Sequence, residues 1–172
     1  LFDGTRALVP GKFNTAPDEN GDINQYPGGD TSLAPSSKMP KDGLYFDAVV
    51  RQKPIVEEAL NPADNLEEFG PVPESELEHF RKSAERLRAD TDYAVILAMP
   101  GAALGNVAAI PAAWLKDPKG IRDTEDWYIS HAIRRDYVYE VYDLQTDISV
   151  ENLKRVHEAV GEAAVVGKDQ QP

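Results

Sequence analysis

The chain has 172 residues, enough for one domain with a substantial core. Its 30 acidic and 18 basic side chains leave a formal charge of -12, spread along the chain, which disfavours a nucleic-acid backbone or an anionic membrane surface as partner. It has no cysteine, so these residues supply neither a disulfide nor a thiolate metal site, and residues 1–20 show no basic-plus-apolar leader pattern; the expected location is the cytoplasm.

Residues 12 to 26 read as a β-hairpin. Phe13 and Thr15 alternate with polar neighbours on one arm, Ile23, Gln25 and Tyr26 follow on the other, and Asn20-Gly21 supplies the tight turn. Pro17 suits an edge strand. The next stretch, YPGGDTSLAPSSKMPKDGLYFD from Tyr26 to Asp47, has neither helical nor strand period, and it holds three prolines and three glycines between aromatic ends. A loop this long in a compact domain is usually functional or else a linker. Tyr26, Tyr45 and Phe46 offer anchors that a solvated linker lacks.

Tyr45, Phe46 and Ala48-Val49-Val50-Arg51 suggest a short strand, and residues 54 to 73 read as irregular connection. A helix is expected from Pro73 to Ala89. Leu77, Phe80, Ala84 and Leu87 make its apolar face, and Ser75 with Glu78 has capping-box spacing. Tyr93 to Met99 is a continuous apolar run of the kind found in parallel strands covered on both faces, ended by Pro100-Gly101. Tyr93 to Leu115 carries no charge, but its prolines, glycines and Asn106 argue against a membrane span. A short helix is expected within 103 to 116, then a break at Asp117-Pro118-Lys119-Gly120. The helical period from Thr124 to Val160 is too long for one ordinary globular helix, so a bend or two abutting helices are expected, with Gly161 as the stop. Ala163-Ala164-Val165-Val166 reads as a second buried strand. Helix, strand, helix, strand is the repeat of a parallel α/β sheet or barrel, and two strands complete neither. The opening at Leu1 and the ending just past that strand suit a portion of a longer protein.

The residues with chemistry divide as follows. His79, His131 and His157 lie on helical patterns without the spacing of a helix-borne zinc site, and surface or interface roles suit them better. Asp18, Asn20 and Asp22 alternate like the opening of a calcium loop, but Ile23 stands where its glycine belongs, and no Glu arrives at the twelfth place. Gly28-Gly29-Asp30-Thr31-Ser32 has amides and hydroxyls for an anion but no following GK[ST]; a turn or lid built by Asp30 outweighs ligand contact. Trp127, Tyr128, Tyr137, Tyr139 and Tyr142 suit helix packing, with some excess for an oligomer interface, so a homo-oligomer is one expected partner.

On three segments the chain resembles the uroporphyrinogen decarboxylase superfamily: YPGGDTSLAPSSKMPKDGLYFD at 26–47, DYAVILAMPG at 92–101 and NLKRVHEAVG at 152–161. The first is similar to a loop of decarboxylase-like proteins that are often methyltransferases, and the likeness runs from about residue 12 to residue 167. The resemblance implies an α/β fold, a portion of a (β/α)₈ TIM barrel, here carrying an N-terminal hairpin and a long Gly/Pro loop. The chain then reads as one partial domain over 1–172, with hairpin and loop in 1–73 and barrel units in 74–172. Tyr93–Met99 and Ala163–Gly167 would be neighbouring strands. With the active face at the C-terminal strand ends, Met99, Pro100, Gly101 and Asp30 become candidate substrate contacts and Asp169 a candidate acid or base.

The resemblance also implies an enzyme, either a methyltransferase acting with a corrinoid (cobalamin) partner protein on a small-molecule acceptor or a carboxy-lyase of porphyrin biosynthesis that needs no cofactor. In the methyltransferase branch zinc is held by a His-x-Cys motif and a later Cys, neither of which this chain has, and the arginine-rich opening of true decarboxylases is missing too. No cofactor is evident in the chain's own residues, while zinc and a corrinoid follow from the resemblance alone. Methyl transfer is the leading expectation, decarboxylation the second, and a non-catalytic protein-interaction module the alternative of another class.

Overall fold

The computed structural model describes residues 16–95, 97 and 107–161. They fall in two compact units, Leu1–Glu68 with Asn106–Val138, and Phe69–Gly105 with Tyr139–Pro172.

The first unit starts from a turn that Asp18 organises. Its carboxylate accepts hydrogen bonds from the amides of Asn20 (2.9 Å) and Asp22 (3.0 Å) and from the Asn24 carboxamide (3.2 Å). Gly21 closes the turn at φ +87°, in the left-handed region that favours glycine. The turn feeds β1 (Ile23–Gln25), which pairs antiparallel with β2 (Ser37–Met39), Ile23 opposite Met39 and Gln25 opposite Ser37. β3 (Asp47–Ala48) pairs antiparallel with the other edge of β2, giving the sheet order β1-β2-β3. The chain then runs extended and forms two 3₁₀ turns, Glu57–Ala59 and Pro62–Leu66. The second is capped by the Asn61 side chain, which accepts from the Ala63 amide, and opens with Pro62, whose missing N–H costs nothing there. After a further 3₁₀ turn, Val107–Ala109, comes the helix α2 (Thr124–Ile133), capped by Asp123 through the Glu125 amide at 2.7 Å.

The second unit is built on α1 (Glu74–Asp90) and most of α3 (Arg135–Val160). Val72, Leu77 and Ala84 bury against Val156 and Val160, with Phe80, Leu97 and Ala159 packed around them. Burial of this kind stabilises by about 25 cal/mol per Å² of apolar surface. At one end Asn152, fully buried, accepts from the Val72 amide (2.8 Å) and donates to the Gly70 carbonyl (2.9 Å).

Several expectations hold. The helix expected at 73–89 is α1, on the apolar face anticipated, although Leu87 is exposed. The long pattern from Thr124 does divide, at Arg134, whose φ of -129° and ψ of 44° leave the helical region. Gly161 follows α3 at φ +54°.

Others are corrected. No β/α-barrel pattern exists among the described residues, whose sheet is small and wholly antiparallel. The partial (β/α)₈ barrel is therefore overturned. Its first strand is absent at 93–95 and 97, and Tyr93 is 84% exposed, because an apolar run makes a strand only where another strand accepts its backbone hydrogen bonds. Its second strand, at 163–167, lies outside the described residues, as does the hairpin arm of Phe13 and Thr15. Ile23–Gln25 instead pairs with β2, which sits inside the stretch expected to be an irregular loop. The capping box is not formed: Pro73 is the N-cap, its carbonyl accepts the Glu76 and Leu77 amides, and Glu78 pairs with Arg81 and Lys82. The helix expected within 103–116 shrinks to Val107–Ala109 among the described residues. No helix among the described residues is long and apolar enough to cross a membrane.

Candidate functional site

Of the expected site residues, Met99, Pro100, Gly101 and Asp169 lie outside the described residues. Asp30 is described, and its carboxylate is already engaged. One oxygen accepts from the Ser32 amide (3.2 Å) and hydroxyl (2.6 Å), and the other from Lys116 Nζ (3.4 Å). The Ser32 hydroxyl and amide, then Lys116, hold the Asp30 carboxyl below the usual carboxylate range. Asp30 thus takes the donors that an external anion in this loop would need, which is the turn-building role. Gly28 and Gly29 beside it, at φ +59° and +70°, make a turn that residues with a Cβ resist.

The most densely bonded part of the first unit is one that no motif announced. Arg122 is 1% exposed. Its guanidinium donates to Glu68 twice (2.7 and 3.0 Å), to the Asp64 carbonyl (2.7 Å) and, through Nε, to the Lys119 carbonyl (2.5 Å). Bidentate pairing of this kind is what makes a buried guanidinium tolerable. Asn65, also buried, acts as a backbone mimic: it donates to the Ile121 carbonyl (2.8 Å) and accepts from the Ile121 amide (2.9 Å). Gln52 accepts from the amides of Arg122 (2.5 Å) and Asp123 (3.0 Å). Tyr137 donates to Asn65 Oδ1 at 2.6 Å, and its hydroxyl is pushed up to about 12, first by burial and then by the charge of Asp64. Gly120, at φ +79°, lies so close that a Cβ would overlap the Asn65 carboxamide. Apart from the Arg122–Lys119 bond, these join residues more than 50 positions apart, so sequence spacing carried no signal for them.

Arg51 extends the network. Its Nη1 donates to the carbonyls of Leu115 (2.7 Å) and Lys116 (3.3 Å), and its Nη2 to that of Ala112 (2.8 Å). Its Nε is buried without a partner. Burial, then the nearby Arg122, lowers its pKa. A cleft of about 170 Å³ is lined by Gln52–Val56, Ala59, Leu60, Asp64 and Pro118–Gly120.

No three His, Asp or Glu side chains among the described residues gather to hold a metal ion. With no cysteine in the chain, the zinc site implied by the methyltransferase resemblance does not fit these residues. His131 uses Nδ1 on the Trp127 carbonyl at 2.9 Å. Asp18, of the calcium-like spacing, is spent on its own turn, and Asp22 on the Lys41 amide and on Lys38. The cleft is smaller than the roughly 300–1,000 Å³ of ordinary cofactor pockets, so a corrin ring does not fit it. No family model, curated protein or solved structure matches the chain.

Proposed function

We propose that the chain belongs to a uroporphyrinogen decarboxylase-like protein of the methyltransferase kind, working with a corrinoid carried by a partner protein. The reading rests on the Tyr26–Asp47 stretch and its resemblance to the decarboxylase-like loop. What supports a built role for that stretch, as opposed to a linker, is its packing. Pro27, Ser36 and Ser37 are buried, the Ser36 amide donates to the Gln25 carbonyl at 2.9 Å, and Asp30 is fastened to Lys116. On this reading the described residues are frame. They position the stretch, and the zinc-activated thiol chemistry of the branch is not supplied by them.

The test titrates methylcobalamin into the chain and reads its thermal midpoint. The expected result is a midpoint raised by the corrinoid. An unmoved midpoint would overturn the proposal. Carbon dioxide release from uroporphyrinogen would favour decarboxylation instead.

One observation favours a second reading, a non-catalytic interaction module. Trp114, Tyr128 and Ile133 of the first unit are exposed and offer large apolar side chains to a partner. A partner protein that raises the midpoint while neither tetrapyrrole does would select this reading.

A further inference from the structure

Asn20-Gly21 makes the turn ahead of β1, and the methyl-transfer reading gives it no task. Asparagine is among the chemically labile side chains. Its carboxamide is lost most easily when the next residue is glycine, whose amide no side chain shields. Asn20 alone among the chain's asparagines precedes a glycine. We propose that Asn20 is a site of spontaneous covalent modification, converted through a cyclic imide to aspartate and isoaspartate, and that the Asp18 turn sets its pace.

The way the asparagines are fastened carries the assignment. Of those described, Asn65 and Asn152 are buried and spend both ends of the carboxamide on backbone groups. The Asn24 carboxamide donates to Asp18 Oδ2 at 3.2 Å. Asn61 accepts from the Ala63 amide at 3.1 Å and precedes Pro62, which has no N–H to react. Asn20 is exposed, and its carboxamide makes no hydrogen bond among the described residues. The attacking group is restrained instead. The Gly21 amide donates to the Asp18 carbonyl at 2.9 Å, and the Asp18 carboxylate holds the amides on either side of it, those of Asn20 (2.9 Å) and Asp22 (3.0 Å). A turn this exposed opens by local fluctuation, which frees the amide.

The step needs only water and base. The Gly21 nitrogen gives its proton to hydroxide and attacks Asn20 Cγ. The new N–C bond forms, the Cγ–NH₂ bond breaks, and ammonia leaves with a proton from solvent. Water then opens the ring. Addition at Cγ gives aspartate, and addition at the main-chain carbonyl gives isoaspartate, whose backbone runs on through Cβ. Either product adds one negative charge between Asp18 and Asp22. Isoaspartate also lengthens the backbone, which displaces Asp22, the anchor of Lys38 and of the Lys41 amide. The site is independent of the methyl-transfer reading.

The full chain is aged at constant temperature and mildly alkaline pH. Its peptides are mapped by mass spectrometry, with isoaspartate counted by enzymatic methylation of its free carboxylate. The mass gain of an amide-to-acid exchange is expected at residue 20 ahead of every other asparagine, faster as pH rises and blocked in Asn20→Gln. A peptide of residues 16–25 gives the rate without the fold. The folded chain should react several times more slowly than this peptide, and Asp18→Ala should close most of the gap. Three results would each overturn the proposal: another asparagine converting first, a folded chain as fast as the peptide, or an Asp18→Ala chain of unchanged circular dichroism that reacts no faster than the original.

Discussion

The two units are held together by different means. In the second, α1 and α3 meet through Val72, Leu77, Ala84, Val156 and Val160, and Asn152 is a polar fastener at one end. In the first, short strands and 3₁₀ turns are tied by Asn65, Gln52, Arg51 and Arg122, whose side chains bond to backbone groups far away in sequence. Helices satisfy their own backbone and leave side chains free to exclude water. Irregular segments do not, so buried polar side chains must do it for them. The first unit therefore depends on geometry and the second on volume.

This contrast can be broken most severely at Arg122. Replacing it with Ala leaves Glu68 half-enclosed without its partner and frees two carbonyls. A loss of about 3–5 kcal/mol is expected, read from urea midpoints. A loss under about 1 kcal/mol would mean that the network is ornamental. Leu77→Ala probes the other unit and should cost about 2–4 kcal/mol through its cavity. Hydrogen exchange should place that loss in the amides of α1 and α3, whereas Arg122→Ala should act on residues 52–68 and 118–123.

Tyr137 gives a pH test. Its folded pKa lies above the ordinary value of 10.0, so the folded state holds the phenol proton longer than the unfolded chain does. The stability this confers is complete below about pH 10 and is lost as pH rises through about 12. Tyr137→Phe should flatten that alkaline decline and, by deleting the bond to Asn65, cost about 1 kcal/mol at neutral pH. An alkaline slope unchanged in the variant would assign the titration elsewhere. The smallest effect has the opposite sign. Ala112 is buried at φ +45°, where a Cβ is strained, so Ala112→Gly should stabilise by up to about 1 kcal/mol. A clear destabilisation there would show that the Ala112 methyl contributes more by packing than its backbone loses.

How much could be read from sequence follows the same division. The helical unit was legible because Leu77, Phe80 and Ala84 repeat at the helix period, and the break near Arg134 followed from excess length. The sheet was legible only in part: Ile23–Gln25 and Ala48 fall in stretches read as strands, whereas their shared partner β2 does not, since a strand of three residues is shorter than any period that could reveal it. The apolar run misled at residues 93–95 and 97 because apolar character records a preference for burial and says nothing of a partner strand. At the candidate site, Asp30 was legible as a turn residue because its partner Ser32 is two positions away. Asn65, Arg122 and Arg51 were not, because an isolated polar residue looks like surface until the chain brings its acceptors to it.

Asn65 and Gly120 are coupled by their geometry. A side chain at 120 would collide with the carboxamide, and a shorter residue at 65 would clear the space only by stranding the amide and carbonyl of Ile121. Neither position can drift alone, and no single substitution leads from this pair to another that works. Lineages descended from this chain should therefore keep both residues or replace both together, which makes the pair a marker by which distant kin could be recognised.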